Sequence, residues 1–206
     1  GSIRYWEVWN EPHYHGFWRG TPEQYAELSR VAYEAARRAD PECRIVGGGG
    51  ISTTTLDWME KALKAGIGRY MDVFSIHGYI DDVHPLDSQV LADRLPEVRR
   101  LLDENGARGV PIWNSENGVE STSFLDQYRA RNREPDMPYH FRQAANNTVR
   151  LYVSNLAAGV QKVFWYYCKH VKWEKHDPSR IDNNLLDYGG VPKPCAVAYA
   201  TTARWL

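Results

Sequence analysis

Short, unbroken apolar runs alternate with helical stretches along this chain, and that alternation restricts its fold more than any other feature. The runs fall at residues 4–11, 44–46, 72–79, 110–118 and 162–167. They are rich in Val, Ile, Phe, Trp and Tyr and lack the in/out alternation of a strand with one wet face. Between them lie helical stretches at about 22–40, 56–65, 88–105, 139–158 and 194–206. In the first, Tyr25, Leu28, Val31, Ala32 and Ala35 form an apolar stripe at helical spacing. Thr21-Pro22-Glu23-Gln24 opens it with an N-cap, a proline at the first helical position and an early acid. Gly106 is placed to cap the third. Strands buried on both faces and separated by helices imply an α/β fold with a parallel sheet. Five such units fit either an open α/β sheet or the last five units of a (β/α)8 barrel, which needs eight units and usually about 250 residues. With 206 residues and no Pro/Gly/Ser-rich linker, the chain reads as one domain over 1–206.

The strand ends carry the chemistry. The first run stops at Asn10-Glu11-Pro12, where Pro12 cannot donate to a sheet ladder. The fourth stops at Asn114-Ser115-Glu116-Asn117-Gly118. Two glutamates at the mouths of two strands are the minimum equipment for glycoside hydrolysis. His77, Tyr79 and Trp165 also fall at strand ends, on the rim where parallel barrels build their sites. Residues two apart in a strand share a face, so His77 should point with Tyr79, Asn114 with Glu116, and Val163 with Trp165. Glu7 lies mid-strand and reads as a structural, paired carboxylate.

These motifs resemble glycoside hydrolase clan A, the retaining enzymes built on a (β/α)8 TIM barrel. Trp6-Glu7-Val8-Trp9-Asn10-Glu11-Pro12 is most similar to family 39, the His77-Gly78-Tyr79 layout also to family 5, and Ser115-Glu116-Asn117-Gly118 to family 1. The resemblance covers strands four to eight of the barrel. It implies that Glu11 is the acid/base ending strand four and Glu116 the nucleophile ending strand seven. It further implies that His77 and Tyr79 end strand six, and that Trp165 ends strand eight as the floor under the sugar. Asn10 would bind the sugar 2-hydroxyl, and Tyr79 would orient Glu116. A charged Glu116 nearby should keep Glu11 protonated. The function implied is that of a retaining β-glycoside hydrolase with no cofactor and no metal. The alternatives are a catalytically incompetent half-barrel that binds carbohydrate or serves as a structural fragment, and an unrelated open sheet.

Strands one to three have no counterpart, and in the clan they bring an arginine that holds the nucleophile. The expected partners are therefore a carbohydrate and a second polypeptide, or another copy, that completes the barrel. The net charge of -1 offers no basic excess for nucleic acid or an anionic membrane. No run approaches the roughly 18 apolar residues of a membrane helix. No signal peptide is visible, Gly1-Ser2 resembles a cloning remnant, and secreted and cytoplasmic locations both stay open. His13-Tyr14-His15 has neither a Cys partner nor an H-E-x-x-H pattern, so His13 is read as a cleft-lining residue, not a metal ligand. Gly47 to Gly50 match no phosphate-binding pattern and read as a tight exit from the second strand. Cys43, Cys168 and Cys195 are read as buried free thiols.

Overall fold

The computed structural model describes residues 3–79, 88–119, 137–168, 184–186 and 189–206. The strands are β1 (Tyr5–Glu7), β2 (Arg44–Ser52), β3 (Val73–His77), β4 (Ile112–Asn117) and β5 (Val160–Trp165). The helices are α1 (Pro22–Ala39), α2 (Leu56–Lys64), α3 (Ser88–Glu104), α4 (Met137–Ala157) and α5 (Pro194–Trp205), with a 3-10 turn at Ile67–Arg69. All neighbouring strands pair in parallel, in chain order from β1 to β5. A parallel pair needs a long crossover, and helices supply it here. Because the order never reverses and such crossovers share one hand, the helices collect on one face of the sheet.

That face holds the main core. Phe74, Ile76 and Ile112 from the strands meet Met59, Leu63, Leu95, Leu102 and Leu151 from the helices. Helix α1 starts as its sequence suggests: the Thr21 hydroxyl accepts from the Gln24 N–H while the Gln24 side chain accepts from the Thr21 N–H. Arg37 on α1 grips both oxygens of Asp72 at 2.7 and 2.8 Å, and Asp72 also accepts from the Ile45 N–H at 2.7 Å. This contact fixes α1 against the starts of β2 and β3.

The opposite face is concave. In a flat sheet β1 and β4 would lie about 14 Å apart, three strand spacings of about 4.8 Å. Yet the Ser115 hydroxyl on β4 donates to Glu7 on β1 at 2.9 Å, and the Tyr5 and Trp113 rings are 4.8 Å apart. The Lys162 ammonium of β5 lies over both rings, 5.4 Å from Tyr5 and 4.4 Å from Trp113. The sheet must curl to bring these groups together, so the five units form a parallel half-barrel and not an open twisted sheet.

Three expectations change. The first strand is shorter than residues 4–11, because the chain leaves regular pairing after Glu7 and takes positive φ at Trp9 (67°) and Glu11 (43°). The second is longer than residues 44–46: the glycines lie inside β2, where the register with β3 jumps between Gly47 and Ile51. Cys168 is exposed, whereas Cys43 and Cys195 are buried free thiols. Of the polar loops expected around 120–138 and 168–190, residues 120–136, 169–183 and 187–188 lie outside the described residues, as do Gly1 and Ser2. Helix α4 begins within the first of these, at Met137. No helix among the described residues is long and apolar enough to cross a membrane.

Candidate active site

Glu11 reaches the concave rim through an irregular turn. Its N–H donates to the Gly49 carbonyl at 2.6 Å, while Val8 pairs with Val46 at 3.1 Å. The buried Tyr25 of α1 donates to the Val8 carbonyl at 3.1 Å and pins the turn from the helix side. Positive φ at a non-glycine residue is a strained choice that persists where surrounding contacts over-determine it. Here those contacts aim the carboxylate at β3.

His77 ends β3 and is 4% exposed. Its Nδ1 is 2.8 Å from Glu11 Oε1, and its Nε2 is 3.8 Å from Glu116 Oε2. The imidazole therefore stands between the two carboxylates. Tyr79, just beyond, donates its hydroxyl to Glu116 Oε1.

Glu116 gains its position from a bulge. On β3, Ile76 and His77 are consecutive, but their partners on β4 are Asn114 and Glu116. Ser115 is the extra residue, and a bulge re-aims the side chains around it. As a result Asn114 does not share the face of Glu116. It is buried toward the helices, accepting from the Gly78 N–H at 3.0 Å and donating to Asn155 of α4 at 3.1 Å. Ser115 and Glu116 are left for the concave side.

The structure thus brings Glu11, His77, Tyr79 and Glu116 together. His13 joins their edge: its Nδ1 accepts from the Ser52 N–H at 3.4 Å, and its ring lies near enough to Glu11 to interact with it. Burial pushes the His13 pKa down, favouring the neutral ring. Asn10 is exposed at the turn beside Glu11. Trp165 is not brought to this cluster. With Val163 it packs on the helix-side core, edge-on to Tyr199 of α5 at 6.2 Å. The exposed aromatics at this strand end are Phe164 and Tyr166.

Electrostatics differ from the sequence expectation at one point. The hydrogen bond from His77 lowers the Glu11 pKa, outweighing the burial that raises it. A donated hydrogen bond favours the charged carboxylate, so in the open half-barrel the His77 contact works against the proton that the sequence reading leaves on Glu11. Among the described residues, Glu11, His77 and Glu116 also form the one His/Cys/Asp/Glu group close enough to share a cation, with one donor atom each within 4.8 Å of the others.

Sequence reasoning did not reach Ser75 or Gly50. The Ser75 hydroxyl accepts from the Gly50 N–H and donates to the Gly47 carbonyl, both at 2.9 Å, closing the β2 bulge. Ser75 sits two residues before His77, on the same strand face, and that spacing is the signal available for it.

Residues 2–196 match the model of glycosyl hydrolases family 39. The chain is 31% identical to a "Beta-xylosidase" of Caldicellulosiruptor saccharolyticus, over 96% of this chain and 41% of that protein. In fold it is similar to a family 39 glycoside hydrolase from Bacteroides cellulosilyticus WH2, with a TM-score of 0.74, 23% identity, and coverage of 98% of this chain and 40% of the other. A GH39 β-xylosidase from Caulobacter crescentus aligns with a TM-score of 0.69 and 21% identity over 96% of this chain and 41% of its own. The chain spans about two fifths of the length of these relatives. A match across nearly all of its residues, joined to two glutamates meeting at the rim of a parallel half-barrel, places the chain in glycosyl hydrolases family 39.

Proposed function

We propose that this chain carries the catalytic pair of a retaining β-glycoside hydrolase. In this reading it supplies strands four to eight of an eight-stranded barrel, with Glu11 as acid/base and Glu116 as nucleophile. The observation that carries it is the approach of the two carboxylates around His77, within 4.8 Å. Retaining enzymes hold their carboxyl groups about 5–5.5 Å apart, whereas inverting ones leave about 6.5–9.5 Å for a water.

The steps follow from position. Glu116 attacks the anomeric carbon while Glu11 gives its proton to the departing glycosidic oxygen. Glu11 then takes a proton from water, whose oxygen attacks the same carbon and releases Glu116. Tyr79 fixes Glu116 for the attack, and Asn10 and His13 border the sugar. For the first step Glu11 must be protonated. A sugar ring that covers the site and excludes water raises its pKa, and so does the nearby Glu116 charge acting in a drier cleft. The similar β-xylosidases make β-xylosides the first substrates to try.

The concave face must also be completed. Tyr5 and Phe164 on it are 45% and 43% exposed, and Trp6 on the other face of β1 is 52% exposed. We take the missing partner to be the first three barrel units, on a second polypeptide or a neighbouring part of a longer chain.

The test is hydrolysis of 4-nitrophenyl β-xyloside by the chain mixed with the first three barrel units of a family 39 relative. Release of nitrophenol with retained anomeric configuration, abolished in Glu116→Ala, is the expected result. An inverted product, or full activity in Glu116→Ala, overturns the assignment. Sugar binding without hydrolysis would favour a non-catalytic half-barrel.

A further inference from the structure

The glycines of β2 contribute no functional group to the reaction, yet they touch both sides of the site. Gly48, Gly49 and Gly50 have φ of +89°, +56° and +70°, a region that L side chains rarely adopt. A Cβ on Gly50 would lie 2.1 Å from His77 Nε2, 2.3 Å from Cδ2 and 2.5 Å from Cε1. The imidazole edge therefore fills the volume that a side chain at this position would need. One residue back, the Gly49 carbonyl holds the Glu11 N–H at 2.6 Å. A Cβ there would meet the Val8 carbonyl at 2.8 Å and the Tyr25 hydroxyl at 2.9 Å, the hydrogen-bonded pair that anchors the Glu11 turn. Ser75 ties the two ends of the bulge, so this backbone is held in place by its own strand neighbour.

We propose that Gly50 is a positioning residue: its missing side chain is the slot that seats the His77 imidazole, and through His77 it orients Glu11 toward Glu116. The alternative is that Gly50 is required merely because the bulge needs positive φ. Gly66 separates the two causes. It has φ of +102°, and a Cβ there would meet nothing within 4 Å. Gly66→Ala therefore carries the backbone penalty without the collision. The catalytic meaning of the slot rests on the proposed glycosidase reading, but the seating of His77 is tested without any substrate.

The experiment compares Gly50→Ala, Gly66→Ala, His77→Ala and the Gly50→Ala/His77→Ala double variant by melting midpoint and by NMR titration of the Glu11 carboxyl. The titratable groups facing that carboxyl are His77, His13 and Glu116. Gly50→Ala is expected to lower the midpoint more than Gly66→Ala does, and the excess should vanish once His77 is removed. Glu11 should titrate at higher pH in Gly50→Ala and be unchanged in Gly66→Ala. If Gly50→Ala does not fold, the double variant is expected to fold again. In the completed barrel kcat should fall on the order of 10²-fold in Gly50→Ala, with KM changing less, as for a small misplacement of a reacting group. Equal loss in Gly50→Ala and Gly66→Ala, no relief from removing His77, or an unmoved Glu11 titration would each overturn the proposal. A native chain that shows the coupling but no hydrolysis in the completed barrel retires the glycosidase reading and leaves the slot standing.

Discussion

Glu11 and Glu116 are chemically alike, and their surroundings make them different. Glu11 accepts from an imidazole on one strand, and Glu116 from a tyrosine beyond it. If Glu11 is the acid, Glu11→Ala should keep part of its activity on activated aryl glycosides, which need little help in departure, and lose most on poor leaving groups. Glu116→Ala should lose both, and the reverse pattern would exchange the two roles. The His77 hydrogen bond makes a second prediction, readable without substrate. It lowers the folded pKa of Glu11 below its ordinary 4.5, so the stability it adds is complete above that value. That stability is lost as pH falls through the folded value. The gap in melting midpoint between the native chain and Glu11→Gln should hold steady near neutrality and shrink as the medium is acidified below 4.5. A gap of the same size at strongly acid pH would show that the bond does not stabilise the fold. These glutamates are legible in the sequence because each ends an apolar run. The lowering of the Glu11 pKa is not legible, since it comes first from an imidazole 66 positions away.

At the scale of elements, the alternation of apolar runs and helical stripes is readable because each run is a buried strand and each stripe faces one core. Bulges are not readable in the same way. A bulge is a property of two strands, and β4 shows nothing unusual until its register with β3 is known. That is why Asn114 and Glu116, two apart, face opposite sides. On β5 the ordinary alternation holds, so Trp165 turns to the helices with Val163 while the concave face keeps Phe164. The run of glycines likewise reads as a loop when seen alone, and becomes part of a strand once Ser75 closes it. The Arg37–Asp72 contact, which joins α1 to β2 and β3, makes the prediction at this scale. Both side chains are mostly covered, and Asp72 also holds a backbone N–H. Asp72→Ala leaves that N–H without its partner and the guanidinium with its remaining bonds to the Pro41 and Cys43 carbonyls. The expected loss is about 1–3 kcal/mol in denaturant unfolding, between the ranges for exposed and buried pairs. A loss below about 0.5 kcal/mol would mean that water replaces the contact freely.

For the whole molecule, the decisive fact is a curled sheet whose outer strands, β1 and β5, each pair with one neighbour among the described residues. β1 shows aromatic rings on both of its faces, and each edge strand carries a single charge, Glu7 on β1 and Lys162 on β5, among otherwise uncharged residues. The chain on its own is expected to associate, and light scattering should give a mass above 23.7 kDa. A soluble monomer of that mass with one cooperative melting transition would show that these outer strands are tolerated as they stand.

The two carboxylates, the imidazole between them and the tyrosine behind them all lie on one continuous stretch, from Glu11 to Glu116. On the proposed glycosidase reading, the bond-breaking groups form one block of chain, separable from whatever closes the other side of the cleft. Swapping that other side among relatives would change which sugars are admitted while leaving the reacting atoms in register. On that reading a half-barrel of this kind would serve as an interchangeable cartridge, whose recombination with another partner half would alter selectivity without having to rebuild the chemistry.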